Sequence, residues 1–263
     1  MARTIAIANQ KGGAGKSTMT ANLAVAMGEG GCKRVVVIDL DQQHDLTALF
    51  GRSPADAQAT LYEVFLGSAE IAQATIHGVA RGVDLVPGHE KLADVEMTLV
   101  SQVRREEFLA SALEKQVDGY DIVLIDCPPN LGMLTTNALC AAPEVVVPVS
   151  MVDRNAFKGA ATLLKTLAEL RRKRVDVAIT ALVPNQVDPR RNTYQTLAQA
   201  LPKLQVPITA TEIPMRAAFH DAGTEGVPVL LRAPDGEAAC AYRALAAELD
   251  GMRPITPAIE EAA

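Results

Sequence analysis

A doubly wound α/β fold, with a mostly parallel sheet of about seven to eight strands flanked by helices, is what this 263-residue sequence predicts. Three observations predict it. Short β-branched runs alternate with longer Ala- and Leu-rich segments whose apolar residues recur at helical spacing. The runs themselves are apolar almost throughout, as strands covered on both faces require. A glycine-rich stretch, "NQKGGAGKST" (9–18), follows the first run directly, at the point where a strand gives way to a helix.

In chain order, "RTIAIAN" (3–9) is expected to be the first strand and "KSTMTANLAVAMGEG" (16–30) the helix after it. Strands are expected at "RVVVIDL" (34–40), "VDLVPG" (83–88) and "YDIVLIDC" (120–127). Two more follow at "EVVVPVS" (144–150) and "VDVAITALV" (175–183). Helical spacing marks "REEFLASALEKQV" (105–117), "GMLTTNALCAA" (132–142) and "NAFKGAATLLKTLAELRRK" (155–173). Strand–helix–strand repetition implies right-handed crossovers. With no internal repeat or low-complexity linker, residues 1–250 read as one domain and the proline-broken, acidic stretch 251–263 as a loosely ordered tail. The first strand, beginning at residue 3, is expected to leave no room for a leading DNA-binding domain.

Composition narrows the function classes. The chain is 49% hydrophobic and 21% charged, ordinary for a globular protein, so a core can form without disulfide or metal staples. No apolar run approaches the roughly 18 residues of a membrane span, and no secretory leader is visible, so a cytoplasmic protein is expected. Cys32, Cys127, Cys140 and Cys240 lack C-x-x-C spacing and read as reduced, mostly buried thiols. The net charge of −6 argues against a generally cationic coat but permits a local basic patch.

The glycine-rich stretch carries the chemistry. Gly12, Gly13 and Gly15 allow the backbone to curl closely around phosphate oxygens. Main-chain N–H groups of 12–18, with Ala14 and Thr18 among them, then converge on the anion at the helix start. Lys16 is the lysine that meets the outer phosphates, and Ser17 supplies a hydroxyl to Mg²⁺. Lys11 is one lysine more than such a loop needs. Asp39 and Asp41, two apart at a strand end, point to the same side. Asp126 ends a third buried run.

"KGGAGKST" resembles the deviant Walker A motif of the ParA/MinD ATPases. That resemblance implies a P-loop NTPase with ATP and Mg²⁺ as its ligands. It implies that Lys11 reaches across an ATP-sandwich homodimer to the phosphates of the other subunit. By the same resemblance, "DLDQQHDLT" (39–47) matches D-x-D-P-Q-G-N in part. Asp39 then supports the Mg²⁺ shell and Asp41 orients or deprotonates the attacking water, with Lys11, Lys16 and Asp41 as the catalytic set. Gln42, His44 and Asp45 depart from the pattern and put the loop's shape in question; His44 stands as a rival base or a plain surface histidine. Asp126 resembles the Walker B aspartate, holding Mg²⁺ through water. Asn185, in "ALVPNQVDPRRN", is the candidate for the adenine edge, with a turn-forming asparagine as the alternative reading.

The resemblance runs to about residue 250. "TEIPMRAAFHDAGTEGVPVL" (211–230) and "GEAACAYRALAAEL" (236–249) resemble the ParA/Soj group, in which basic residues near these segments bind DNA non-specifically. Arg190, Arg191, Arg216, Arg232 and Arg243 are the candidates, each also readable as an ordinary surface residue. "RRKR" (171–174) is a weaker candidate, because cations at a helix end also complement its dipole. "SMVDRNAFKG" (150–159) lacks two glutamates common in the family, and Lys158 stands where the second would be. This is closer to orphan or plasmid-type relatives. The implied function is partition or positioning of a cargo on the nucleoid. The implied partners are itself, non-specific duplex DNA and a ParB-like or cargo adaptor, with no membrane. A MinD-like membrane ATPase is the alternative, disfavoured by the acidic tail. A metallo-reductase or iron–sulfur scaffold ATPase lacks its paired cysteines, and an amide-forming synthetase would not need Lys11.

Overall fold

Among the described residues, seven apolar segments become strands: β1 (Arg3–Ile7), β2 (Val35–Asp39), β3 (Ile76–Ala80), β4 (Val83–Val86), β5 (Ile122–Asp126), β6 (Glu144–Ser150) and β7 (Ala178–Asn185). The computed structural model describes residues 2–31, 33–99 and 102–255. The strands lie in the order β3-β4-β2-β5-β1-β6-β7, all parallel except β3, which runs antiparallel to β4. The doubly wound sheet expected from the alternation is present.

The helices are α1 (Lys16–Gly28), α2 (Asp45–Leu49), α3 (Leu61–Phe65), α4 (Leu92–Leu99), α5 (Phe108–Gln116) and α6 (Met133–Ala141). They continue with α7 (Ala156–Arg172), α8 (Asn192–Ala200), α9 (Ala217–Glu225), α10 (Val229–Arg232) and α11 (Glu237–Gly251). Strand side chains alternate between two cores, one on each face. Ala6, Val36, Ile38, Val123 and Ile125 pack with Leu134 of α6 and with Leu163 and Leu167 of α7. Ile5, Ile7, Val35, Val37 and Leu124 pack on the other face with Met19 and Leu23 of α1 and Tyr242 and Leu245 of α11. At the lower end of the sheet, Arg3 makes a bidentate pair with Glu144 (2.8 and 2.7 Å) and donates to the carbonyl of Leu249 (3.0 Å). One guanidinium thus ties β1, β6 and α11 together.

Several expectations need correction. β3 was not anticipated: "IHGVA" has a glycine at φ +67° and is largely exposed, so it lacks the apolar signature of the inner strands. β7 starts at Ala178 and runs to Asn185, later than the sequence suggested, because 175–177 belong to the turn leaving α7. The tail does not begin loose. Ile255 donates to the Ile179 carbonyl at 2.8 Å along the outer edge of β7, while residues 256–263 lie outside the described residues. Of the cysteines, Cys127 is buried, Cys140 half-buried and Cys240 exposed, so most are not buried; Cys32 lies outside the described residues.

Leu124 is fully buried in the central strand β5, whereas Met97 on α4 is 79% exposed. Leu124→Ala is therefore expected to lower unfolding free energy by about 3 kcal/mol and Met97→Ala by less than about 0.5 kcal/mol, measured by urea titration.

Candidate nucleotide-binding site

Parallel pairing brings the acidic residues together. Asp39 ends β2 and Asp126 ends β5, and the two are direct register partners; Ile7 of β1 is the partner of Asp126 on its other side. The loop 8–15 leaves β1 at this same end and enters α1 with Gly15 as N-cap, at φ +83°. A Cβ at Gly15 would meet Asn185 Nδ2 at 2.4 Å, so both conformation and space demand glycine there. Around Gly12 and Gly13 there is open space where a Cβ would stand. The cradle is open where an anion would approach.

Each carboxylate is differently held. Asp39 accepts from Thr47 N (2.8 Å) and Thr47 Oγ1 (2.6 Å) and from Asp41 N (3.3 Å). Burial still pushes its carboxyl above the ordinary range, against the pull of Thr47. Asp126 is buried, accepts from Thr20 Oγ1 (3.3 Å), and its Oδ2 has no hydrogen-bond partner. Burial, reinforced by the neighbouring Asp39 charge, raises its carboxyl strongly, while Ser17 and Lys16 act in the opposite sense. An orphaned buried carboxylate oxygen beside Ser17 is an arrangement that a hydrated divalent cation would satisfy. Asp41 is buried on the cleft wall, its Oδ1 fixed by Gln43 N at 3.0 Å.

The two lysines divide. Lys16 is buried and its Nζ turns toward the Lys11 carbonyl (3.5 Å). Lys11 does not line the cleft; its Nζ pairs with Asp153 at 3.1 Å, and its backbone N–H donates to Asn9 Oδ1 (3.0 Å). Asn9 in turn donates to the Pro148 carbonyl at 2.6 Å. The phosphate-side cleft measures about 550 Å³ and is lined by the loop together with Asp41 and Gln186. Beside it lies a more apolar recess of about 260 Å³, walled by Asn185, Pro214, Phe219 and Tyr242 and reached past Thr18.

Comparison with known proteins agrees with this geometry. The family model described as an AAA domain matches residues 2–179. The sporulation initiation inhibitor protein Soj of Bacillus subtilis is 33% identical over 95% of this chain and 98% of its own. The chromosome partitioning protein ParA of Caulobacter vibrioides is 34% identical over 87% of this chain and 86% of its own. The chain belongs to the ParA/Soj family of ATPases. Among solved structures, Mycobacterium smegmatis cobyrinic acid a,c-diamide synthase with bound ADP and magnesium superposes with a TM-score of 0.83. It is 32% identical and covers 98% of this chain and 100% of its own.

For a ParA/Soj chain, several side chains stand differently from expectation. Asn185 is the last residue of β7 and no turn former; its Nδ2 donates to the Ala14 carbonyl at 2.7 Å, binding the loop from behind. Gln186, unremarked in the sequence, adopts φ +57°, accepts from Ser150 Oγ and donates to the Gly13 carbonyl at 3.1 Å. Together these amides hold the carbonyls of Gly13 and Ala14, two consecutive peptides of the loop. Asp153 was also missed as a partner of Lys11. Only three-dimensional proximity reveals either residue. All five candidate DNA-contact arginines are paired: Arg190 and Arg191 with Asp188, Arg216 with Glu237, Arg232 with Glu225, and Arg243 with Glu29. The Arg190 hydrogen bond draws the Asp188 carboxyl down to about 2. Arg216 also borders the apolar recess.

His44 sits at φ +45°, a left-handed backbone that the family's glycine adopts freely and histidine adopts with strain. His44→Gly is expected to leave hydrolysis in place and to change stability by no more than about 1 kcal/mol, with His44→Val distinctly destabilising, read by thermal melts. At Gly88 an added Cβ would meet the Asp41 carbonyl at 2.7 Å and Asp39 Cγ at 3.0 Å. Gly88→Ala should therefore cut kcat at least about tenfold by displacing both acids, while the protein stays folded by circular dichroism.

Proposed function

We propose that this protein is an ATPase that dimerises around ATP, binds DNA non-specifically in the ATP form, and uses partner-stimulated hydrolysis to partition or position a cargo on the nucleoid. The observation that carries the dimer reading is the division of the lysines. Lys16 belongs to its own loop, while Lys11 stands outside the cleft in a partly exposed ion pair. Such a pair is worth at most about 1 kcal/mol, so Lys11 can leave Asp153 for a partner's phosphates at little cost. A cation supplied in trans compensates charge that develops on the transferred phosphoryl group.

Within one subunit the roles follow from chemistry. The N–H groups of 12–18 and Lys16 bind the phosphates, and Asn185 and Gln186 hold that loop in its receptive form. Ser17, Asp39 and Asp126 would hold Mg²⁺, which when bound would supply positive charge to offset that of the phosphates. Asp41, fixed by Gln43, orients the attacking water. The apolar recess beside Thr18 suits a purine, with Phe219 and Tyr242 as its walls. The five arginines can exchange a carboxylate for a DNA phosphate, and a ParB-like or cargo adaptor would act on the dimer. An amide-forming role, as in the name of the Mycobacterium smegmatis relative, leaves Lys11 without a task.

Lys11→Ala is expected to bind ATP within a few-fold of the parent but to stay monomeric by light scattering and to hydrolyse no ATP. Normal hydrolysis by that variant would refute the trans assignment. The parent should bind random duplex DNA with ATP and release it with ADP. Arg216→Glu is a poor probe of that contact, because the residue also borders the recess.

A further inference from the structure

We propose that the outward face of α7, centred on Lys158, Lys165 and Arg172, is a further surface that meets the phosphate backbone of duplex DNA. This rests on the DNA-binding reading above and adds to it a face that the five arginines do not occupy. The three cations are spaced seven residues apart, so they line up on one side of the helix over about 21 Å. All three are exposed, and none is in an ion pair among the described residues. The contrast with the five arginines is direct, since each of those already has a carboxylate partner. In a chain of net charge −6, uncompensated cations aligned on one helix are a local inversion of sign.

The face also lacks what a protein partner would use. Ala161, Thr162 and Ala168 lie among the cations, and Glu169, four residues after Lys165 and three before Arg172, is the one carboxylate on the helix, so the face carries three cations against one anion. No aromatic or large aliphatic anchor projects between them, whereas protein interfaces depend on such anchors. Charge with reach and without register is what sequence-independent phosphate contact needs.

The start of α7 links this face to nucleotide state. A Cβ on Gly159 would stand 3.5 Å from Lys11 Cβ and 2.9 Å from Asn9 Oδ1, so the first turn abuts the residue assigned to cross the dimer interface. Dimerisation through Lys11 then gives the assembly two such faces, one from each copy, for six cations in all. By counterion release, six phosphate contacts give a slope of log K against log salt near −5, against about −3 for a single face.

The test uses the full chain with a non-hydrolysable ATP analogue and random-sequence duplex DNA, titrated from low to moderate salt by fluorescence anisotropy. Lys158→Gln/Lys165→Gln/Arg172→Gln is expected to weaken binding at least about tenfold and to flatten the salt slope. Lys158→Arg/Lys165→Arg/Arg172→Lys should bind as the parent does, which excludes damage to the helix as the cause. Lys33→Gln/Arg104→Gln should stay within about threefold of the parent, as paired surface residues would. Parent-like affinity and slope in the glutamine triple variant would overturn the α7 assignment while leaving DNA binding itself standing. Failure of the parent to bind DNA in any nucleotide state would overturn both.

Discussion

Asp39 and Asp126 face each other in register across adjacent parallel strands, buried from water, and the electrostatic cost of that pairing organises the whole end of the sheet. Two carboxylates at that depth repel one another and resist ionisation. Thr47 relieves one with two hydrogen bonds, whereas the other keeps an oxygen with no partner. The loop after β1, with Lys16 buried within it, comes to lie beside them because β1 is the other neighbour of β5. A cation and phosphate bound at that end would offset the repulsion. The stability given up there is supplied by the two cores that the central strands separate.

The loop is held from outside as well as within. Asn9 connects it to β6, and Asn185 and Gln186 connect it to β7. Three side-chain amides, two from the end of β7 and one from the loop itself, thus fix peptide orientations that glycine alone would leave free. Gln186 accepts a left-handed backbone to do this, a strain sustained by its contacts to Ser150 and Gly13.

How much was legible in the sequence follows from these same interactions. β1, β2, β5 and β6 were readable because strands buried on both faces are apolar throughout. β3 was not, since an exposed edge strand with a glycine carries no such signal. The cradle residues and acidic strand ends were readable from spacing, because loop, lysine, serine and aspartates occur at fixed positions relative to strands. The hold of Gln186 on Gly13 joins residues 173 positions apart, and the pairing of Arg243 with Glu29 spans 214. Sequence reasoning could nominate Arg243 as a free cation because it could not see the glutamate waiting across the fold. It set Arg172 aside, within the run 171–174, as a dipole complement for the converse reason: nothing local says that it lacks a partner.

The outer margin of β7 has a bearing on aggregation. Pro207, Ile213 and Ile255 exchange backbone hydrogen bonds with Leu182, Pro184 and Ile179, so the strand offers no continuous row of unused donors and acceptors. At the opposite margin β3 is short and interrupted by Gly78. Unprotected strand margins recruit further chains indefinitely, whereas these two are blunted. Among the described residues, the sheet therefore offers no template for open-ended stacking of copies by sheet extension.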